Sequence, residues 1–560
     1  MGFAELVATF EALEGTSATL QKTDILSSTL AEAAEPTLPL IVHLVRGQVF
    51  PDWDRRELGV SSSLTVDAID RATGVGSDRI ETEWREAGDL GDAAAWALEH
   101  RAQRTLGART LTVESVASEI RSLATFTGDG SQDRRVGTLA GLLADATPEE
   151  ARYIVRIVLG TMRLGVGAGI VRDAIADAFL DSSENARTAV GRAVDVTTDF
   201  GLVAETARAA GIDGLQALDV ELFRPVKPML AGTADGLEGA VADLARADGS
   251  VLVEMKYDGI RAKIHRDGDD IELFSRRLEP ITAQFPEVVS AAASHLAERP
   301  LIAEAEIVAV DPDGGDPVPF QELSRRVKRE SGIEAIREAV PVRVFLFDLI
   351  YLDGESLLDV SLADRLVALD GVLERESDDF ARAEAVHTDS IDRVRSFYER
   401  ALAAGHEGIM IKNLAATYQP GSRVGYQRKV KPTMEPLDLV VTRAKWSEGR
   451  KSDYLGRPYL ACRGEDGDLL EIGRMHTGFT DTQLETFTDL VEPLIRSVDG
   501  REAELEPSVV LEVEYEEIQR SPTYDSGFAL RFPRLKRIRT DLDPSDADDI
   551  DRVRRLFEAQ

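Results

Sequence analysis

Apolar positions recur every third or fourth residue through the first part of the chain, in long Ala-, Leu-, Arg- and Glu-rich stretches such as TPEEARYIVRIVLGTM at 147–162. That is the period of a helix with one buried face. Thr147 followed by Glu150 adds a helix-start signal, because each side chain accepts the other's backbone N–H. Residues 1–220 therefore read as all-helical. FRPVKPML at 223–230 interrupts the pattern with two prolines and marks a domain junction. Beyond it the period shortens to two. VLVEM at 251–255, RAKIHR at 261–266, IELFSRR at 271–277, LIAEAEIVAV at 301–310 and VRVFLFDLIYL at 342–352 read as strands. Asp258-Gly259 and Asp267-Gly268 look like turn dipeptides between the early strands. Tight turns imply antiparallel pairing and count against a Rossmann-type sheet. After KPTMEP at 431–436, the strands LDLVVTRAKW, YLACRG, LLEIGRM and VVLEVEYEEIQ fit a compact barrel of about five strands. A polar helical tail follows Asp541. The expectation is a multidomain α+β chain: a helical domain at 1–220, an antiparallel-sheet domain at 221–435 and a barrel domain at 436–560.

Composition narrows this picture. At 560 residues the chain is too long for one core, and 43% hydrophobic residues is ordinary for a folded protein. No apolar run approaches the length of a membrane span. The first residues, MGFAELVATFEALEGTS, are acidic where a signal peptide is basic, so a cytoplasmic location is expected. The single cysteine, Cys462, excludes an internal disulfide and a cysteine-rich zinc site. The 100 acidic and 65 basic residues leave a net charge of −35, which on its own disfavours a nucleic-acid partner. The acid is diffuse, however, and only eleven of the basic residues are lysines. That combination points to life in high salt, where self-repulsion is screened. It also makes each lysine informative: nine of the eleven lie between Lys227 and Lys451.

The chemistry concentrates in EMKYDGIRAKIHR at 254–266. A lysine at a strand end before a turn can point into a cleft and, once deprotonated, act as a nucleophile. Arg261 is placed to supply a neighbouring cation or to hold phosphate. An isolated lysine in such a place is ordinarily a solvated surface residue; context decides.

KYDGIR resembles the signature of the nucleotidyltransferase superfamily of DNA ligases, RNA ligases and mRNA-capping enzymes, and further motifs follow in the family's order. The resemblance implies that Lys256 attacks the α-phosphate of a nucleoside triphosphate. FSRR at 274–277 is similar to the next motif and implies that Arg276 contacts sugar and phosphate. EAEIVA at 304–309 resembles the third, with Glu306 as its acid; Glu304-Ala305 departs slightly from the usual pattern. FDLIYLDG at 347–354 implies that Phe347 stacks on the base. HEGIMIK at 406–412 implies that Glu407 joins Glu306 in holding Mg²⁺. GSRVGYQRKVKP at 421–432 implies that Arg423, Lys429 and Lys431 meet the nucleotide and its phosphates, with Gln427 and Arg428 departing from relatives. RFPRLKRIRTD at 531–541 resembles the family's last motif, which implies pyrophosphate contacts from its arginines and Lys536; Leu542 stands where relatives often carry lysine.

Glu254 matches the position that recognises the adenine amino group. A carboxylate accepts from N6 and repels O6, which favours ATP over GTP. The helical N-terminal domain, with GTMRLGVGAGIVRDAI at 160–175, is similar to the DNA-binding domain of archaeal and eukaryotic replicative ligases, in which Arg163 approaches the minor groove. The expected architecture is thus a helical DNA-binding domain, a nucleotidyltransferase (adenylation) domain and an OB-fold barrel. The expected activity is an ATP-dependent DNA ligase that seals nicked duplex DNA with ATP and Mg²⁺ as a monomer, without a membrane. An RNA ligase, a capping enzyme and a catalytically dead nucleic-acid clamp remain as rivals. QKTDIL at 21–26 faintly resembles a sliding-clamp-binding peptide, although a plain helix start is the favoured reading.

Overall fold

The computed structural model describes the chain except residues 102–108, 235, 246–248, 314, 328, 330, 433, 448–453, 477 and 559–560. It divides into two compact units, Met1–Val430 and Lys431–Gln560.

The first unit begins with helices from Phe3 to Ala217 that share one core, built on side chains such as Phe3, Phe10, Ile120 and Tyr153. The helix Pro148–Val158 starts as its sequence predicts: Thr147 accepts from the Glu150 N–H, Glu150 accepts from Thr147, and Pro148 takes the first turn. The glycine-rich segment after it leads into the helix Ala168–Phe179, so these glycines connect two helices and follow no strand. Residues 21–26 lie inside the helix Thr19–Glu32, where Lys22, Thr23 and Leu26 are buried. That face belongs to the bundle core. At the junction, Phe223 takes a left-handed conformation (φ 60°) and donates its N–H to His265 Nδ1 at 3.0 Å.

Eleven strands follow among the described residues: β1 (Leu230–Thr233), β2 (Val251–Lys256), β3 (Ile260–Asp267), β4 (Asp270–Ser275), β5 (Leu301–Ala309), β6 (Val342–Leu352), β7 (Glu355–Ser356), β8 (Phe380–Arg382), β9 (Ala385–Thr388), β10 (Gly408–Lys412) and β11 (Arg423–Val430). One sheet has the order β1-β11-β10-β2-β9; the other has β4-β3-β5-β6-β7, with β8 on β6. Pairing is antiparallel except for β1 with β11 and β6 with β8. One sequence expectation is corrected. Asp267-Gly268 does close a hairpin, between β3 and β4, but Asp258-Gly259 does not. There the chain leaves the first sheet at Lys256 and enters the second at Ile260. A Cβ on Gly259 would lie 2.4 Å from the Ile307 carbonyl oxygen, so close approach to β5 requires glycine.

The second unit holds β12 (Leu437–Trp446), β13 (Leu455–Arg463), β14 (Leu469–Arg474), β15 (Ile495–Asp499), β16 (Glu502–Leu505), β17 (Val510–Glu514), β18 (Glu517–Arg520), β19 (Phe528–Arg531) and β20 (Arg534–Arg539). Its main sheet runs β14-β13-β12-β16-β15, with β17 joining β12 to β20; β18 and β19 form a separate ribbon. VVLEVEYEEIQ is thus two strands in different sheets. The tail becomes the helix Ile550–Glu558, which buries Ile550 and Val553 in this unit's core. No helix of the described residues is long and apolar enough to cross a membrane.

Candidate active site

β2 is buried along its length until Lys256, its last residue. Glu254 and Lys256 alternate onto one face. On neighbouring β10, Met410 lies opposite Glu254 and Gly408 opposite Lys256. The Glu407 N–H donates to the Lys256 carbonyl at 2.9 Å, and the Glu407 carboxylate sits 2.5 Å from the Lys256 ammonium. Arg261 and Glu306 are directly cross-strand neighbours on β3 and β5 of the second sheet. Burial pushes the Glu306 carboxyl up to about 7; Lys256 and Arg261 pull it down, while Glu407 and Asp258 push it further up. A carboxyl this reluctant to ionise beside a second carboxylate suits a hard cation that supplies the missing positive charge. No cluster of three or more His, Cys, Asp or Glu side chains forms a metal cage among the described residues. A metal held by these two carboxylates would leave the rest of its shell to water and phosphate oxygen, an arrangement that suits Mg²⁺.

Arg261 is held by several partners. It donates to the Met229 carbonyl at 2.6 Å and pairs with Glu304 at 2.5 Å. Glu304 is fully buried and also meets Lys263 at 2.8 Å and the Tyr418 hydroxyl at 2.8 Å. Burial alone would raise its carboxyl, but Arg261 and Lys263 overcome this and hold it at about 2. Glu304, the departure from the family motif, is therefore the hub of a buried ion network. Its signal in the sequence was the alternation Arg-Ala-Lys at 261–263 against Glu-Ala-Glu at 304–306: charges at every second position of apolar strands need partners on one face.

The other end of the site is built from Glu254, Lys412 and Phe347. Glu254 is 3% exposed; its Oε2 meets Lys412 at 2.5 Å, while its Oε1 has no hydrogen-bond partner among the described residues. Phe347 falls where the β5–β6 register slips, between Leu346 opposite Ala305 and Asp348 opposite Glu304. A bulge of this kind re-aims a side chain. Lys412 lies 5.0 Å and Arg261 5.3 Å from the centre of the Phe347 ring. Gln427, another of the departures, is buried opposite Lys412 in the β10–β11 register. Tyr257, between Lys256 and the crossing, stacks on Phe345 at 4.1 Å and accepts from the Glu384 N–H.

The remaining predicted residues are more scattered. Lys429 faces Met410 across β10–β11, which puts it two strands from Glu254. Arg423 begins β11, exposed, and donates to the Ala231 carbonyl at 3.2 Å. Arg276 is exposed in the turn after β4. Lys431 belongs to the second unit, where it lies 3.5 Å from Glu516. In that unit Lys536 and Arg537 pair with Glu512, and Arg539 with Asp438. Arg163 adopts a left-handed conformation (φ 56°) and is held by Asp89 and the Gly88 carbonyl. Lys412, Glu304, Lys263 and Tyr418 are the residues that motif reading did not single out.

Family models match this chain in three consecutive blocks: "DNA ligase N terminus" at residues 2–176, "ATP dependent DNA ligase domain" at 228–431 and "ATP dependent DNA ligase C terminal region" at 451–542. The chain is 42% identical to a DNA ligase of Thermococcus fumicolans, with 100% of this chain and 99% of that protein aligned. It is 44% identical to a DNA ligase of Halobacterium salinarum, with 99% of each covered. Among solved structures, Pmar-Lig_PreS3 shares the fold with a TM-score of 0.55 at 17% identity, covering 95% of this chain and 99% of that one.

Proposed function

The chain belongs to the ATP-dependent DNA ligase family, and from that premise we propose that Lys256 is the residue that carries AMP. The enzyme joins 3′-hydroxyl and 5′-phosphate ends at nicks in DNA at the expense of ATP. Lys256 Nζ, having given up a proton, attacks the α-phosphorus; the bond to the pyrophosphate oxygen breaks, and a phosphoramidate forms. AMP next passes to the 5′-phosphate of the nick, and the 3′-hydroxyl displaces it.

Within this scheme each group has a task set by its place. Glu254 accepts from the adenine amino group, and Phe347 stacks on the ring. Arg261 and Arg276 serve sugar and phosphate, with Arg423, Lys429 and Lys431 adding positive charge against the phosphates. Glu306 and Glu407 hold Mg²⁺, which when bound neutralises phosphate charge that would otherwise repel the incoming nucleophile. The Glu407 carboxylate also holds the Lys256 side chain in place before ATP arrives. We assign residues 1–220 to DNA binding, 221–435 to adenylation and 436–560 to the OB-fold domain, with the Arg163 turn facing the duplex and the protein acting as a monomer.

The observation that carries this reading is the convergence of the Lys256 ammonium, Glu407, Glu306 and Arg261 at the point where β2 leaves the first sheet. Incubation with α-labelled ATP and Mg²⁺ tests it. Wild type acquires a covalent AMP label that survives denaturation and alkali and is released by acid, as a phosphoramidate is, and Lys256→Ala acquires none. Undiminished labelling of that variant would overturn the assignment.

A further inference from the structure

Glu254 has a second buried charge beside it, which bears on which of its oxygens can face a purine. A carboxyl group has two uses at the 6-position of a purine. Ionised, it accepts from the amino group of adenine. Protonated, it donates to the 6-oxo group of hypoxanthine or guanine. Glu254 is almost wholly buried, and a charged group in such a place needs an opposite charge beside it. That charge is Lys412, 2.5 Å from Oε2. An ammonium has only donors, so it fixes that oxygen as an acceptor and uses it up. Oε1 is left buried and without a partner among the described residues. The same ammonium lies 5.0 Å from the Phe347 ring, and so ties the edge-reading group on the first sheet to the stacking ring on the second. Lys412 is itself 5% exposed at the end of β10, with a buried neutral neighbour, Gln427, across the strand.

We propose that Lys412 is a positioning residue for base selection: by pairing with one oxygen of Glu254 it presents the other as a fixed acceptor, which makes the pocket selective for 6-amino over 6-oxo purines. The inference rests on the assignment of Glu254 to the adenine amino group.

The test is the rate of self-adenylylation, measured as kcat/KM with ATP and with ITP, which differ in the 6-substituent and the N1 proton it entails. Wild type prefers ATP. In Lys412→Met the preference falls by about a hundredfold or more, as in sites that lose an oriented hydrogen-bond partner. Lys412→Arg retains most of it.

The decisive comparison avoids a buried lone carboxylate. In Glu254→Gln the amide carbonyl accepts from Lys412, the NH₂ turns to the base, and the preference inverts towards ITP. In Glu254→Gln/Lys412→Met neither orientation is imposed, and the ratio levels. A wild-type ratio in a folded Lys412→Met, or equal ratios in Glu254→Gln and the double variant, would refute the proposal. If Glu254→Ala leaves the ATP:ITP ratio intact, the assignment of Glu254 fails instead, whatever Lys412 does. Should Lys412→Met not fold, Glu254→Gln and Glu254→Gln/Lys412→Met, neither of which buries a lone carboxylate, still decide the matter.

Discussion

At the scale of single residues, the site depends on charges buried in pairs, and removing one member is the severe change. Glu304 has no exposed surface and faces Arg261, Lys263 and the Tyr418 hydroxyl. Glu304→Gln keeps the shape but leaves two buried cations with one neutral acceptor. The expected cost is about 3–5 kcal/mol of stability, since an uncompensated buried charge must be desolvated or neutralised. Chemical denaturation reads the loss, and a change within the scatter of surface substitutions would show that the network is not needed. Labelling with ATP should weaken as well, because Arg261 loses the carboxylate that orients it. Lys256 could be singled out as a candidate in the sequence because six further motifs follow it in order. Glu304 and Lys412 were not, although both sit inside those motifs. Their importance comes from partners on other strands, and a linear motif shows only its own residues. The available hint was physical: Glu254, Lys263, Glu304 and Lys412 are charges in strands otherwise fit for burial.

At the scale of elements, the longer strands were legible, with β6 and β12 found to the residue, whereas short ones such as β1, β7, β8, β9, β15, β16, β19 and β20 were not read. The connections were less so. Asp258-Gly259 and Asp267-Gly268 are the same dipeptide with two uses. Gly268 has φ +60° and turns a hairpin, whereas Gly259 lets the chain cross between sheets beneath Ile307. The difference lies in β5, which the local sequence does not contain. The junction shows a similar long-range fix. His265 is fully buried on β3 and takes the Phe223 N–H, so its imidazole must stay neutral to accept. Burial first, then Lys263, depress it to about 3 from an ordinary 6.5. The unfolded chain therefore binds a proton near pH 6.5 that the folded chain refuses. Stability is full above that pH and is lost as pH falls towards the folded value, by about 1.4 kcal/mol per pH unit. His265→Gln removes this proton linkage. Melting curves from pH 7 to 5 should show a shallower acid slope for the variant than for wild type. Parallel slopes would mean that His265 is not the group responsible.

At the scale of the whole molecule, the net charge of −35 and the DNA substrate pull in opposite directions, and salt acts on both. The charge is spread over the chain, and cations of the basic run at 531–541 are engaged by carboxylates: Arg537 and Lys536 by Glu512, Arg539 by Asp438 and Asp541. In dilute buffer, with a screening length of about 30 Å, the carboxylates repel one another across the whole surface. At 1 M salt that length shrinks to about 3 Å, and only near neighbours still interact. Folding should therefore strengthen as KCl rises and level off at molar concentrations, where little repulsion remains to screen. DNA binding responds the other way, because each phosphate contact releases counterions and weakens with salt. A ligase built for dilute conditions would lose its substrate well before the fold gained its benefit. This enzyme avoids that only if it holds the nick with few net phosphate charges, and if hydrogen bonds and shape carry the remainder. Three measurements follow on one sample. The melting temperature should climb with KCl and then plateau, and the log–log salt slope of nicked-duplex affinity should be shallow, corresponding to roughly two or three phosphates rather than the six to ten of a strongly salt-dependent binder. Ligation should then persist at molar KCl. A protein most stable and most active in dilute buffer, with a steep salt slope, would show that its acidity serves some purpose other than tolerance of salt.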